Sequence, residues 1–143
     1  MERRKFIKTS CIACLGGFSI AALAESCTVS KQYSAAISGS DMIVPLKQFE
    51  NTGGGFKQYV VVQNDALKYP VCIYRFSEKE YKALWMSCPH QGAELQVFGS
   101  KLQCPAHGSE FDNTGKVTNA PATENLRSFP LTIENENLKI KFT

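Results

Sequence analysis

The chain lacks most features that would announce a function directly. After residue 24 it has no excess charge, since twelve basic side chains face twelve acidic ones. The net +3 comes from Arg3, Arg4, Lys5 and Lys8 against Glu2. A nucleic-acid-binding face needs clustered cations, so none is implied. Histidine is scarce, with two copies, and tryptophan occurs once. The longest uncharged apolar run (11–24) has 14 residues, short of the ~20 that span a bilayer as a helix. Beyond residue 40 there is no sustained helical stripe, no internal repeat and no nucleophile–base pair. No catalytic residue is therefore assigned. The composition, 43% hydrophobic and 20% charged over 143 residues, is that of one folded domain and excludes general disorder.

What is present begins with a three-part N-terminus. Residues 1–8 are basic, residues 11–24 are apolar or small, and Ala22-Leu-Ala24 forms a small-x-small site before Glu25. This is the layout of an export signal. Arg3-Arg4 with Phe6, Ile7 and Lys8 resembles the twin-arginine motif of a pathway that carries folded proteins. Cleavage after Ala24, retention as a membrane anchor and lipidation at Cys27 all stay open. Each puts the folded part on the periplasmic side of the cytoplasmic membrane. Residues 1–27 are thus read as signal or anchor. Residues 28–40, rich in Ser, Ala and Gly, are read as a linker.

From Asp41 the chain changes to short β-type runs separated by turn residues: 42–49, 56–63, 70–76, 81–87, 94–98, 101–104, 126–134 and 137–142. Phe129, Leu131 and Ile133 alternate with polar neighbours, as do Leu138, Ile140 and Phe142. Joined by Asn135-Glu136, these runs read as a terminal hairpin with one face buried. Gly53-Gly-Gly55 reads as a hairpin tip, and Cys72 as a free core cysteine. Trp85 reads as packing beneath the loop that follows it. The expected fold is a mostly antiparallel all-β domain.

The chemistry lies in Cys88-Pro-His90 and, after thirteen intervening residues, Cys104-Pro-Ala-His107. Both histidines of the chain lie two or three residues from a cysteine, and each of these cysteines precedes a proline. Two such loops can converge as a four-donor metal site. Two Cys and two His can also close a tetrahedral zinc site, so a zinc-binding structural module is the competing reading.

The local residues resemble the Rieske family. His90-Gln-Gly-Ala and Cys104-Pro-Ala-His-Gly-Ser-Glu-Phe-Asp112 resemble its two cluster loops, Asn119-Ala-Pro-Ala122 its proline-bearing loop, and Leu126–Ile133 the strand that follows. The resemblance covers residues 41–143. It implies a Rieske-type antiparallel β sandwich with a small cluster-binding subdomain near residues 86–112. It also implies one 2Fe-2S cluster, with Cys88 and Cys104 on an inner iron and His90 and His107 on an outer, surface-facing one. Replacing two thiolates by neutral imidazoles raises the potential to roughly −150 to +300 mV. The implied role is one-electron transfer as a subunit of an oxidoreductase complex. The implied partners are a cytochrome b/c-type or molybdenum subunit, with quinol and the cytoplasmic membrane. A ferredoxin-like carrier is the alternative within the family.

Two departures from the family pattern are visible. Quinol-oxidising members tie the cluster loops with a disulfide, at positions that here hold Ala93 and Ala106. Those members also place a Ser and a Tyr hydroxyl near the cluster. Ser109 keeps the first, expected to tune the potential, and Phe111 lacks the second.

Overall fold

The computed structural model describes residues 31–142. The twin-arginine segment, the apolar run and Cys27 lie outside the described residues. Among the described residues thirteen short strands form three sheets, and a 3-10 turn spans Leu46–Phe49. The first joins β1 (Tyr33–Ser34), β4 (Tyr59–Gln63), β5 (Val71–Arg75), β6 (Tyr81–Trp85) and β11 (Ser128–Phe129), in that order. The second runs β12 (Leu131–Glu134), β13 (Asn137–Lys141), β3 (Asp41–Pro45) and β2 (Ala36–Ser38). The third runs β10 (Val117–Asn119), β9 (Glu110–Asp112), β8 (Lys101–Gln103) and β7 (Gln96–Phe98). The all-β expectation holds. Pairing is antiparallel except for β1 beside β4. Among the described residues no helix is long and apolar enough to cross a membrane.

The first sheet has a core on each side. In β5 the odd residues Val71 and Ile73 face the second sheet, packing with Met42, Val44, Leu138 and Ile140. The even residues Cys72 and Tyr74 face the third sheet, packing with Leu102, Phe111, Cys88 and Cys104. Alternation along a strand sends successive side chains to opposite faces. A strand covered on both faces must therefore be apolar throughout, as Val71-Cys-Ile-Tyr74 is. Each fully buried aliphatic side chain contributes about 1.5–3 kcal/mol. Cys72 is a free, fully buried thiol, and burial pushes its pKa up.

Several sequence expectations are corrected. Trp85 does not lie beneath the cluster loop. Leu84 takes the face toward the third sheet, so Trp85 turns to the other side. There it packs on the first core, with ring centroids 5.5 Å from Phe129 and 6.4 Å from Tyr69. The described part of the segment read as a linker is paired. β1 lies along β4 and β2 along β3, and the Ala35 amide donates to the Gln63 carbonyl at 2.9 Å between them. Residues 126–134 do not form one strand. Pro130 separates β11, in the first sheet, from β12, which makes the expected hairpin with β13. Its turn residues Asn135 and Glu136 have φ of 48° and 61°, the signs a two-residue hairpin turn requires. Ile133 is 38% exposed, outside the face expected to be buried. The third sheet extends to Asn119, past the subdomain limit read at residue 112.

Candidate metal centre

Two loops leave the third sheet's side of the molecule and repeat one design. In the first, the Cys88 amide donates to the Ala93 carbonyl at 2.8 Å and the Gly92 amide to the Cys88 carbonyl at 2.7 Å. In the second, the Cys104 amide donates to the Ser109 carbonyl at 2.8 Å and the Gly108 amide to the Cys104 carbonyl at 3.0 Å. The same offsets recur because the same residue types recur. Proline after each cysteine holds that cysteine extended. The glycine four positions on takes φ of +72° in one loop and +82° in the other, a region costly for any residue with a Cβ.

The loops sort the four candidate donors by depth. Cys88 and Cys104 are 1% and 2% exposed, while His90 and His107 are exposed. The imidazole rings meet edge to face, with centroids 5.1 Å apart and planes at 89°. Burial raises the Cys88 thiol above its ordinary value, and the Cys104 thiol beside it adds to this. The amides of His90 and Gln91 pull the other way by donating to the sulfur. Backbone donors gathered round a buried sulfur suit a ligand that must carry negative charge.

A tetrahedral zinc site draws four donors onto one ion. A mixed-ligand 2Fe-2S cluster takes a thiol pair on one iron and an imidazole pair on the other. A buried thiol pair and an exposed imidazole pair fit the second arrangement.

The proline-bearing loop, residues 119–122, closes over the second. Ser109 is fully buried, and its hydroxyl oxygen accepts from the Ala122 amide at 3.0 Å. Asn119 Nδ2 donates to the Gly108 carbonyl at 3.1 Å. The first loop is held from the base, where the Tyr69 hydroxyl donates to the Gly92 carbonyl. The Tyr74 hydroxyl likewise donates to the Gly99 carbonyl at 3.1 Å, fixing the β7–β8 turn. Phe111, fully buried, fills the core below the loops. Ala93 is half-buried and Ala106 exposed, and the described cysteines 72, 88 and 104 are all free thiols. The roles of Tyr69 and Asn119 were not read from sequence. Tyr69 lies 23 residues from its acceptor, and Asn119 stood out only as part of the proline-bearing loop.

Comparison with known proteins supplies the context. A family model described as the Rieske [2Fe-2S] domain matches residues 44–130. The chain is 38% identical over 53 residues to the cytochrome b6-f complex iron-sulfur subunit of Synechococcus sp. (strain CC9605), which covers 36% of this chain and 30% of that one. It is 31% identical over 74 residues to the ferredoxin component of a 2,4-dinitrotoluene dioxygenase system from Burkholderia sp. (strain RASC), covering 49% and 70%. The crystal structure of the cyanobacterial plasma membrane Rieske protein from Synechocystis PCC 6803 superposes with a TM-score of 0.52 at 28% identity, over 59% of this chain and 87% of that one. The chain spans less than a third of the length of the first curated relatives it matches.

Proposed function

The chain belongs to the Rieske 2Fe-2S family, and from that premise we propose that it is the iron-sulfur subunit of a respiratory quinol or other oxidoreductase complex, exported to the periplasmic side of the cytoplasmic membrane. A Rieske domain binds one 2Fe-2S cluster and transfers electrons; when bound, the cluster accepts and returns one electron. In this proposal Cys88 and Cys104 hold the inner iron, and His90 and His107 the outer one. The observation that carries it is the depth sorting of those donors, thiols inside and imidazoles outside.

The residues divide the work by position. The buried thiols, backed by Leu102, Phe111 and Met86, exclude water from the sulfur side. The exposed imidazoles shorten the path to a partner docked over the tip. Ser109 already accepts one hydrogen bond through its oxygen. Its proton remains to be donated, and a donor toward sulfur stabilises the more negative reduced state. The basic and apolar N-terminal segments support the assigned location, and the likeness to the b6-f subunit and the plasma membrane Rieske protein supports the complex.

A second reading, a ferredoxin-like carrier, is favoured by the likeness to the dioxygenase ferredoxin and by alanine at positions 93 and 106. Iron, acid-labile sulfide and zinc analysis of anaerobically purified full chain tests the ligand set, beside Cys88→Ser and Cys104→Ser. The proposal expects equal iron and sulfide, negligible zinc, and loss of both iron and sulfide in the variants. A Cys104→Ser chain with an intact cluster spectrum overturns it. Fractionation of cells expressing the chain, with and without Arg3→Lys and Arg4→Lys, separates the exported subunit from the internal carrier. Periplasmic or membrane recovery lost in the double variant supports export. Cytoplasmic recovery of both forms supports the carrier.

A further inference from the structure

The two cluster loops share more than their internal hydrogen bonds. Each ends at a glycine whose carbonyl accepts one side-chain hydrogen bond from outside the loop. For Gly92 the donor is the Tyr69 hydroxyl, and for Gly108 it is Asn119 Nδ2, at 3.1 Å. The acceptors are equivalent positions, four residues after Cys88 and Cys104. The donors are unrelated residues on different elements.

Each donor is held by contacts besides its own bond to the loop. Tyr69 precedes Pro70, whose carbonyl accepts from the Met86 amide at 3.0 Å, so its backbone is tied to the base just ahead of Cys88. The ring is half-buried near Trp85, with the Lys68 ammonium 5.2 Å from its centre. Asn119 ends β10, where it pairs with Glu110 in β9. The Ala122 amide, bonded to Ser109, fixes the chain just beyond. Thus one donor reaches the first loop from the base, and the other reaches the second loop from the proline-bearing segment.

We propose that Tyr69 and Asn119 are positioning residues for the two cluster loops, each pinning one loop to the body of the domain in a chain that has no disulfide between them. The physical content is a division of constraint. A covalent bridge joins the loops to each other, so neither opens alone. Two separate clamps tie each loop to the body on its own, so that the shared cluster ligands are what couples one loop to the other. The part of the proposal that concerns the cluster rests on the assignment of Cys88, His90, Cys104 and His107 as its ligands; the part that concerns loop opening does not.

The test uses the full chain carrying its 2Fe-2S cluster: wild type, Tyr69→Phe, Asn119→Ala and the double variant. Asn64→Ala is the control, since it removes side-chain hydrogen bonds outside both loops, from Nδ2 to the Ala35 carbonyl and from the Ala66 amide to Oδ1. Phenylalanine keeps the ring packing of Tyr69, and Asn119 is exposed, so these variants fold. Amide hydrogen exchange is read in the segments 88–93 and 104–109. The loss of one net hydrogen bond should speed exchange in the clamped loop roughly fivefold, and in the other loop, coupled to it through the shared ligands, by less. The double variant should loosen both loops. Loss of iron to a chelator should quicken in each single variant, and the electron paramagnetic resonance line shape of the reduced cluster should change, with neither effect in the control. Wild-type exchange in both single variants, or equal loosening of both loops by either one, overturns the proposal. Altered exchange with unaltered resonance and iron loss also overturns it, because the residues would then be structural only. Wild-type protein with no cluster signal would instead refute the ligand assignment, leaving the exchange arm to decide loop clamping.

Discussion

The Ala122 amide and the Ser109 hydroxyl are joined with the hydroxyl as acceptor, at 3.0 Å, where Ser109 has no exposed surface. Ser109→Ala removes the acceptor and the remaining donor together. The amide of buried Ala122 then has no partner, which costs about 1–3 kcal/mol. Chemical denaturation should show that loss, and voltammetry should show a lower reduction potential. An unchanged potential would leave Ser109 as a structural tie alone.

Phe111→Tyr tests the same effect from the other direction. The ring is wholly enclosed in the core under the loops. If the added hydroxyl reaches a cysteine sulfur, the potential rises. A potential equal to wild type, in a folded variant with a full complement of iron, rejects that contact.

Gly92→Ala and Gly108→Ala should destabilise the domain by similar amounts, about 1–2 kcal/mol each, from left-handed backbone alone. A Cβ at position 92 would sit 3.6 Å from the Tyr69 hydroxyl, an ordinary contact, and one at 108 would meet nothing within 4 Å. Crowding therefore adds nothing. Equilibrium unfolding of the two variants measures it, and a much larger loss at one site would contradict the equivalence of the loops.

Leu102→Ala should cost about 2–5 kcal/mol, as deletion of a fully buried leucine does. Ile133→Ala, at a side chain 38% exposed, should change stability by much less. The Leu102 variant should also lose iron faster, because the deleted side chain belongs to the core that holds Cys88 and Cys104. Thermal unfolding and the rate of bleaching read the two effects.

Asp112 gives a pH prediction. Burial raises its carboxyl. The Thr114 hydroxyl and the amides of Lys116 and Thr114 lower it by more, so it lies below its ordinary 3.8. A carboxyl lowered in the folded state adds stability above its unfolded value, and that stability fades as pH falls through the lowered one. Asp112→Asn should therefore be less stable than wild type at neutral pH, and the gap should close below pH 3.8. A gap constant with pH would mean that the charge contributes nothing.

The sequence carried the all-β class, the terminal hairpin and the four candidate donors, because each depends on near neighbours. Period-two alternation marks Leu138 and Ile140, and Cys-Pro with a nearby His marks each loop. Short strands with weak alternation did not show: Glu110–Asp112, Val117–Asn119 and the pairing of Tyr33–Ser34 acquire their state from partners far along the chain. Trp85 was misplaced by proximity to Cys88. One residue of strand phase decides the face, and only the buried Leu84 beside it fixed that phase. The tie from Tyr69 to Gly92 joins positions 23 apart through tertiary packing that no local pattern encodes.

The middle sheet is a shared wall. Because Val71 and Ile73 belong to one core while Cys72 and Tyr74 belong to the other, neither side of the molecule has a complete boundary of its own. A fragment cut to hold only residues 86–112 would lose the floor on which its cysteines rest. The base without that fragment would expose a strip of apolar strand to water. Melting should therefore proceed as one calorimetric event rather than two, and any substitution that weakens the far core should also hasten bleaching of the cluster at the opposite end.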